Sequence, residues 1–285
     1  MSPRPVEFVD LHIHSPASDG FWTPKTLPPA AADLGLAVIA LTDHDEIAGV
    51  PEMIAACEAY DIQVIPAVEI STTFAKVGYH MLAYNLDLHH PRLLDTFATA
   101  RRYYDAMCHN AIAELARRGK PLDPEKSPAV IGDAVKVYHL VAALIANGYA
   151  ENMSQAYKIC NEVGAHYGWN LPMEEAIPLV HQAGGVAVIA HPGRAEPGFT
   201  AATGAVLDGM RAAGLDGVEV FHSFHGPADV AFYLTYAQRH QLLISTGSDT
   251  HGPGQSNRML TKWPAVQCRA LLERCGFTVA DPARA

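Results

Sequence analysis

Two histidines near the N-terminus, His12 and His14, lie two residues apart at the end of an apolar stretch that is typical of a buried strand. Side chains at positions i and i+2 of a strand point to the same face, so both imidazoles are directed at one place. The turn that follows can bring the Asp19 carboxylate into the same neighbourhood. A His-x-His pair occurs in many strands without any chemical role, so its meaning depends on ionisable groups elsewhere in the chain.

Such groups recur close to other apolar runs. They are Asp43 and His44 in LTDHD, Glu69 in VEIS, His80 in GYHM, His191 in AHPGR, His222 in VFHS, and Asp249 and His251 in GSDTHG. Burying so many imidazoles and carboxylates together is costly unless cations neutralise them. A mixed set of these ligands favours Zn²⁺, Mn²⁺ or Fe²⁺ over Mg²⁺ or Ca²⁺. The number of groups predicts two or three ions, and His80 fits least well because it starts its run.

Seven β-rich runs would have to position these groups. They lie at residues 6–13, 37–42, 62–70, 79–86, 186–190, 217–221 and 242–247. Most are separated by helical patterns, and they are continuously apolar, as expected for parallel strands that are covered on both faces. The pattern predicts an α/β fold, a closed or nearly closed parallel β/α barrel of the TIM type, with a doubly wound open sheet as the alternative. Functional groups of such barrels lie at the C-terminal strand ends, where most of the candidates fall.

Residues 92–170 interrupt this alternation with sequence that is helical throughout. The first helix has an amphipathic rhythm, carried by Leu94, Phe97, Arg101, Tyr104, Cys108, Ile112 and Leu115. We interpret 92–170 as a helical insertion that caps one end of a barrel formed by 1–91 and 171–285. Arg101 lies on the apolar stripe, so it either extends past its neighbours to solvent or points into the barrel mouth toward an anionic ligand.

Composition sets further bounds. The chain has 285 residues, of which 49% are hydrophobic, and no run is long enough to cross a bilayer. The N-terminus lacks the pattern of a secretion signal, and the five cysteines form no Cys-x-x-Cys pair, so we expect a cytoplasmic protein with reduced thiols. A net charge of −10 argues against binding long duplex nucleic acid, whereas a small anionic substrate is compatible with local cations. The glycine-rich stretch 251–255 predicts a turn.

The motifs DLHIHSPASDG, LTDHD, VEIS, GYHMLAY, IAHPGR and GSDTHG, taken in order, resemble those of the PHP (polymerase and histidinol phosphatase) family. The resemblance covers about 1–90 and 171–260. It is greatest to bacterial stand-alone phosphoesterases with a helical insertion after the fourth strand, such as 3′,5′-nucleoside bisphosphate phosphatases and small exoribonucleases. It implies a distorted (β/α)₇ barrel with a trinuclear metal site at its C-terminal face.

The resemblance also implies a set of metal ligands, motif by motif. The first position corresponds to His12, His14, Glu69 and Asp249. The second corresponds to His80, His191 and a bridging Glu69. The third corresponds to Asp19, His44 and His251. The Asp19 position is a histidine in some relatives.

A family member of this kind would be a phosphoester hydrolase that depends on two or three Mn²⁺, Zn²⁺ or Fe²⁺ ions. Adjacent divalent ions generate hydroxide near neutral pH, so we expect a metal-bound hydroxide to attack phosphorus without a covalent enzyme intermediate. His44 or His222 is a candidate proton donor to the leaving alcohol. Arg194 is expected to bind the phosphate through its planar guanidinium, with Arg258 and Arg101 as further candidates.

Several activities are compatible with this chemistry. The favoured substrate is a small phosphate monoester, in particular a nucleoside mono- or 3′,5′-bisphosphate. A 5′–3′ exoribonuclease acting on short oligonucleotides would need aromatic stacking platforms, for which Trp22, Tyr103 and Tyr104 are candidates. Histidinol phosphate is a third possible substrate. A non-catalytic metal-binding module is disfavoured because every motif position is filled, and an amidohydrolase with a bridging carboxylated lysine is disfavoured because no predicted strand ends in lysine.

Overall fold

A computed structural model of the chain describes residues 5–130, 135–195, 200–253 and 258–281. The turn expected at 251–255 lies partly outside these residues. The chain divides into two compact units: a barrel unit, Met1–Leu93 with Asn170–Ala285, and a helical unit, Leu94–Trp169.

Helices and strands alternate through most of the barrel unit. The strands are β1 Phe8–Ile13, β2 Val38–Leu41, β3 Gln63–Phe74, β4 Val77–Tyr84, β5 Leu171–Pro172, β6 Val186–Ile189, β7 Gly217–His222, β8 Leu243–Gly247 and β9 Trp263–Pro264. The helices are α1 Leu27–Leu34, α2 Val50–Glu58, α3 Pro91–Arg117, α4 Val137–Ala146, α5 Met153–Glu162, α6 Met173–Gln182, α7 Gly204–Ala212, α8 Pro227–Arg239 and α9 Arg269–Arg274. Seven of these strands correspond to the seven predicted runs. The two-residue strands β5 and β9 carry no pattern from which they could have been predicted.

One sheet joins all the strands of the described residues. Its order is β8-β7-β6-β4-β3-β2-β1-β9, and β5 pairs with β3. β1 also approaches β8 at the other end of this order: Ile13 forms a parallel bridge with Thr250, just after β8, and the His14 N–H donates to the Thr250 carbonyl at 2.9 Å. The sheet is therefore a nearly closed barrel, which confirms the predicted α/β class and excludes the doubly wound open sheet.

The direction of β4 differs from the prediction of an all-parallel barrel. β4 pairs antiparallel with both β3 and β6. The pairs β1–β2, β2–β3, β6–β7 and β7–β8 are all parallel. No helix separates β3 from β4, because Ala75 and Lys76 form a two-residue turn with φ of 49° and 67°. Two consecutive positive φ values are the mark of a tight hairpin turn that matches strand twist. The start of β4 therefore lies at the C-terminal ends of its neighbours.

Two further irregularities occur in β1 and β7. Between Asp10 and Ile13, β1 advances three residues while β2 advances two, and between Glu219 and Phe221, β7 advances two residues while β8 advances one. Each is a β-bulge, which bends a strand and redirects its side chains. Both bulges fall at strand ends that carry ionisable residues.

The core of the barrel unit is apolar and contiguous. Val9, Val38, Ile65, Leu82 and Val188 are buried with the C-terminal Leu271 and Leu272 in one cluster. Helix ends in this unit show the expected stop signals: Gly35 follows α1 with φ of 74°, which favours glycine. These contacts give the strand ends a rigid base.

The helical unit has its own core. On α3 the buried side chains include Phe97, Ala100, Tyr104, Cys108, Ala111 and Leu115. The predicted stripe was wrong at its start, since Leu94 is 46% exposed and the preceding Leu93 is buried. Residues Cys108 to Leu115 pack with Leu140 and Leu144 of α4 and Cys160 of α5. Capping of the barrel by this unit stays a prediction.

In the described part of the chain, no helix is long and apolar enough to span a bilayer. All five cysteines are free thiols, and all except Cys275 are fully buried.

Candidate metal centre

The structure brings together all nine side chains that the sequence singled out as metal ligands. They come from the end of β1 and the loop after it, from the segments just after β2, β6 and β8, from the middle of β3 and from the first half of β4. The predicted misfit of His80 disappears here: because β4 is antiparallel, its first residues lie beside the last residues of β3, with His80 paired to Ser71. The same rim of the barrel therefore carries every candidate.

The first group surrounds one oxygen of Glu69. The Nε2 atoms of His12 and His14 lie 3.2 and 3.3 Å from Glu69 Oε2, and Asp249 Oδ1 lies 3.1 Å from His14 Nε2. All four side chains are at most 2% exposed. These donor atoms come within 4.8 Å of one another, a spacing that suits one shared cation.

The second group lies around Glu69 as well. Its Oε1 is 2.9 Å from His191 Nε2 and 3.0 Å from His80 Nδ1, while its Oε2 is 3.2 Å from His44 Nδ1. Glu69 thus faces two sets of imidazoles through its two oxygens, as a bridging carboxylate would. His191 and His80 are the ligands that the resemblance implied for this second position.

The third group surrounds Asp19. Its Oδ2 lies 3.2 Å from His251 Nε2 and 3.9 Å from His44 Nε2, and its Oδ1 lies 3.6 Å from His14 Nδ1. The rings of His14 and His251 stack with centroids 4.2 Å apart. At 16% exposure, the Asp19 side chain is the most accessible carboxylate of the cluster.

Acidic residues beside the cluster hold the loops that carry it. Asp43 accepts from both the N–H and the hydroxyl of Ser15, at 2.8 and 2.6 Å, and from the Ser18 hydroxyl. Asp45 accepts from the N–H and hydroxyl of Ser71, at 2.8 and 2.7 Å. Asp43 therefore orders the loop after β1. His44 lies between Asp43 and Asp45 in the chain, and hydrogen bonds fix both of these neighbours.

Asp10 ties distant backbone segments together. Its carboxylate accepts from the N–H groups of Ser248 and Thr261, each at 2.9 Å. Burial raises the pKa of Asp10 to about 7, although these hydrogen bonds oppose that rise. The residue links β1 to the segment after β8.

Glu219 belongs to the site although the sequence analysis missed it. It is fully buried in β7, its Oε1 lies 3.0 Å from His12 Nδ1, and its Oε2 accepts from the His191 N–H at 2.6 Å. The available signal was a carboxylate inside the apolar run GVEVF, where an uncompensated charge is costly. From the sequence, only ionisable residues at strand ends were considered, and Glu219 lies inside β7.

Close backbone approaches and strain accompany the site. His191 and Asp249 have φ of 28° and 55°, values that L-residues rarely adopt and that cluster at functional sites. A Cβ at Gly20 would overlap the His14 carbonyl, and one at Gly247 would overlap the His12 side chain. Any residue larger than glycine at position 20 or 247 would therefore require a shift of the surrounding atoms.

Burial and charge act in opposite directions on the cluster. Burial raises the pKa of Glu69 and of Asp249, but the surrounding imidazoles outweigh it and hold both values well below the usual range. Burial likewise lowers the pKa of His12, yet Glu219, Glu69 and Asp249 raise it well above its ordinary value. The carboxylates thus require nearby positive charge, which either protons or metal cations can supply.

The donor set fits divalent cations. His12 Nε2, His14 Nε2 and Glu69 Oε2 are buried, and none of them makes a hydrogen bond within the described residues. They face a common centre with soft-to-intermediate nitrogen and hard oxygen donors, the combination that Zn²⁺, Mn²⁺ and Fe²⁺ accept. Buried polar atoms without hydrogen-bond partners in a native fold call for an explanation, and a cation provides it.

Two arginines lie next to this cluster. Arg258 Nη1 donates to Asp249 Oδ2 at 3.0 Å, and the guanidinium groups of Arg194 and Arg258 lie 5.3 and 5.5 Å from the centroid of the Phe224 ring. The third candidate, Arg101, belongs to α3 of the helical unit and is half-buried. The roles of these three residues in substrate binding stay predictions.

His222 is buried beside the first group. Its Nδ1 accepts from the Phe224 N–H at 3.1 Å, so the proton of the neutral ring is on Nε2, which lies 3.8 Å from Asp249 Oδ2. Burial lowers the pKa of His222 to about 3. The negative charges of Glu219 and Asp249 oppose this decrease but do not outweigh it.

A nearly closed α/β barrel with a polar cluster of this kind at its C-terminal rim is typical of metal-dependent hydrolases. Residues 10–162 match the PHP domain, and the chain belongs to the PHP domain family of phosphoesterases. It is a hydrolase of phosphoric ester bonds, and the family depends on metal ions.

Similar proteins cover nearly the whole chain. A 3′,5′-nucleoside bisphosphate phosphatase from Chromobacterium violaceum is 32% identical over 88% of this chain and 89% of its own length. The 5′-3′ exoribonuclease Rnm of Salmonella typhimurium is 32% identical over 86% of this chain and 85% of its own. A crystal structure from Bifidobacterium adolescentis, assigned as a metal-dependent phosphoesterase, has a TM-score of 0.80 and 30% identity over 97% of this chain and 98% of its own.

Proposed function

We propose that the protein releases inorganic phosphate from small phosphate monoesters, with nucleoside mono- or 3′,5′-bisphosphates as the favoured substrates. The observation that carries the proposal is the cluster around Glu69, where buried nitrogen and oxygen donors from six strands face common centres. The relative from Chromobacterium violaceum, similar over almost its full length, supports the choice of a nucleoside bisphosphate.

The residues that would hold the ions follow from the three groups. The first ion would bind His12, His14, Glu69 and Asp249; the second Glu69, His80 and His191; the third Asp19, His44 and His251. Two or three bound Mn²⁺, Zn²⁺ or Fe²⁺ ions would supply an activated water and positive charge for the phosphoryl oxygens. The number and identity of the ions are part of the proposal.

The remaining roles fall to side chains of the barrel unit. Arg194 and Arg258 would bind the phosphoryl oxygens through charged N–H donors, and both guanidinium groups lie within cation–π distance of the Phe224 ring. The Nε2–H of neutral His222 would donate a hydrogen bond to the leaving oxygen. His44, whose side chain is 18% exposed and so accessible to a ligand, would supply the proton in the enzyme with two ions bound, where it is not a metal ligand.

Burial of the expected stacking platforms favours a small substrate over an oligonucleotide. Trp22 is only 6% exposed, and its indole N–H donates to the Thr250 hydroxyl at 3.1 Å. Tyr104 is also 6% exposed, because it belongs to the core of the helical unit. Of the three residues named for this role, Tyr103 alone, at 39% exposure, offers a ring to a base.

The test is a phosphate-release assay with Mn²⁺ on a panel of substrates. The panel contains a nucleoside 3′,5′-bisphosphate, a nucleoside monophosphate, histidinol phosphate and a 5′-phosphorylated tetranucleotide, and chelator-treated protein serves as the metal-free state. We expect release from the first two, loss of activity on chelation and its return with Mn²⁺. Release of mononucleotides from the tetranucleotide, measured by chromatography, together with inert mononucleotides would replace this proposal by an exoribonuclease.

A matched pair of histidine variants controls the assay. His14→Asn removes a proposed ligand, whereas His181→Asn removes a histidine that is 2.7 Å from Asp216, a carboxylate outside the nine proposed ligands. We expect the first variant to lose phosphate release and the second to keep it. Equal activity of the two would show that the cluster is not the site of reaction.

A further inference from the structure

The carboxylate of Glu219 contacts two proposed ligands that belong to different metal positions. Oε1 lies 3.0 Å from the Nδ1 atom of His12, in the first group, and Oε2 accepts from the backbone N–H of His191, in the second, at 2.6 Å. Glu219 itself is not among the nine proposed ligands. Its side chain is fully buried, as is that of His12, so water does not compete for these contacts.

The contact with His12 determines which nitrogen of the ring faces the cluster. A carboxylate oxygen accepts, so Nδ1 of His12 carries a proton, and in the neutral ring, the form that binds a cation, the lone pair lies on Nε2. That Nε2 is the atom found 3.2 Å from Glu69 Oε2 and 3.5 Å from Asp249 Oδ1. Glu219 thereby presents His12 in the one tautomer that can bind a cation at the first position.

The contact with His191 acts on the backbone. His191 has a φ of 28°, a strained value that persists only where the surroundings hold it. The short bond from its N–H to Glu219 fixes this residue where β6 ends, and its ring nitrogen then lies 2.9 Å from Glu69 Oε1. The two oxygens of one side chain therefore act on both positions that share Glu69.

The surrounding fold is shaped around this carboxylate. The bulge in β7 begins at Glu219, and the bulge in β1 includes His12, so both strands depart from regular pairing where the two side chains meet. Gly247 of β8 leaves the necessary space, since a Cβ there would overlap His12 and lie 2.9 Å from Glu219 Oε1.

We infer that Glu219 is a positioning residue that couples the first and second metal positions through His12 and His191. The inference rests on the proposed metal centre. Outer partners of metal-bound histidines set ring orientation and basicity, and their loss typically weakens metal binding about 10–100-fold. Loss of Glu219 would act on both positions at once, unlike loss of a partner that orients one ligand.

The test compares Glu219→Gln with Asp216→Asn. Glutamine keeps one acceptor oxygen but places an amide N–H₂ against the second donor, so it satisfies His12 or His191, not both. Asp216 is a matched control, because its carboxylate also contacts one imidazole and one backbone N–H, those of His181 and Ala187, each at 2.7 Å. Mn²⁺ dissociation constants are measured by calorimetry on full-length protein, and bound metal is counted by elemental analysis.

We expect Glu219→Gln to bind Mn²⁺ about 10–100-fold more weakly at two positions, with circular dichroism unchanged, and Asp216→Asn to bind as the wild type does. Unchanged affinity and stoichiometry in Glu219→Gln would overturn the inference. If that variant fails to fold, ¹H–¹⁵N correlation spectra of the Zn²⁺-loaded wild type decide: a proton on His12 Nδ1 supports the inference, and metal on Nδ1 overturns it. Wild-type protein that binds Mn²⁺ but releases no phosphate would refute the proposed function alone.

Discussion

The two units of the chain differ most in what they bury. Outside Leu94–Trp169 the chain has 12 Lys and Arg against 22 Asp and Glu, whereas the helical unit has 8 of each, so the net charge of −10 belongs entirely to the barrel unit. Among the described residues, the fully buried polar side chains also lie in the barrel unit, with the single exception of Ser127. That serine accepts from the Asn147 amide and plays an ordinary structural part.

The two units therefore differ in how burial affects their stability. Among the described residues, the helical unit buries apolar side chains and keeps its charged side chains exposed or half-buried, which is the arrangement that stabilises a fold at little cost. The barrel unit buries carboxylates and imidazoles together, which costs free energy unless a ligand or a partner group neutralises their charge. We therefore expect changes in the barrel cluster to alter metal binding and reaction, and changes in the helical core to alter stability.

The largest effect should follow from removing a ligand of the cluster. Asp249→Asn is expected to lower the rate of phosphate release about 10³-fold, the scale of losing one group from a preorganised electrostatic site. It should also reduce bound Mn²⁺ while the circular dichroism spectrum persists. Phosphate release, elemental analysis and spectra measure the three quantities. Full activity would contradict the assignment of Asp249 as a ligand.

The helical unit should respond in the opposite way to a core deletion. Leu144→Ala removes a fully buried side chain of α4 and is expected to lower the free energy of unfolding by about 3 kcal/mol. Urea unfolding measures this loss, and calorimetry should give an unchanged dissociation constant for Mn²⁺. Weakened Mn²⁺ binding in folded Leu144→Ala would remove the distinction between the units.

A glycine substitution in the barrel should affect both properties. Gly247→Ala forces a Cβ into His12 and is expected to cost about 2 kcal/mol of stability through overpacking, together with weaker Mn²⁺ binding. Gly204→Ala is the control, because open space surrounds that position and no change in binding is expected. Thermal unfolding with and without Mn²⁺ measures both variants. Equal behaviour of the two would show that the approach of β8 to His12 is not tight.

An arginine beside the cluster should influence the substrate more than the metal. Arg258→Lys replaces a planar fork with a point charge and is expected to raise KM for the phosphate ester about tenfold, the value of one charged hydrogen bond. Arg211→Lys, whose ion pair with Asp208 spans 3.8 Å at the surface, serves as the control. A KM that is unchanged in Arg258→Lys would show that this side chain supports Asp249 alone.

The smallest effect is expected from the helical unit. Arg101→Ala should raise KM by a few-fold without changing the Mn²⁺ dissociation constant, if the predicted role of Arg101 in substrate binding holds. Arg102→Ala, a change at the neighbouring exposed residue, should leave KM as it is. A loss of stability in Arg101→Ala with the same KM would assign Arg101 to the fold of the helical unit.

Much of this architecture was predictable from local patterns. Continuous apolar runs marked seven strands, and the ionisable residues that follow them located the polar rim, since strand ends of one barrel face meet in space. The direction of β4 was not predictable, because its turn uses Ala75 and Lys76, neither of which signals a positive φ. The phase of α3 was also missed by one residue at Leu94, because Leu93 and Leu94 precede Phe97 by four and three residues and both spacings fit one helical face.

The sequence by itself determined the family of the protein, and it gave the chemical types and the order along the chain of the proposed ligands. It did so because metal ligands are few in kind and recur in motifs at fixed places. Only the tertiary structure showed that His80 lies beside the other proposed ligands, because its strand is antiparallel. It alone also showed that Glu219 contacts His12 and the backbone of His191. Both depend on strand direction and bulges, which arise from pairing between residues far apart in the chain.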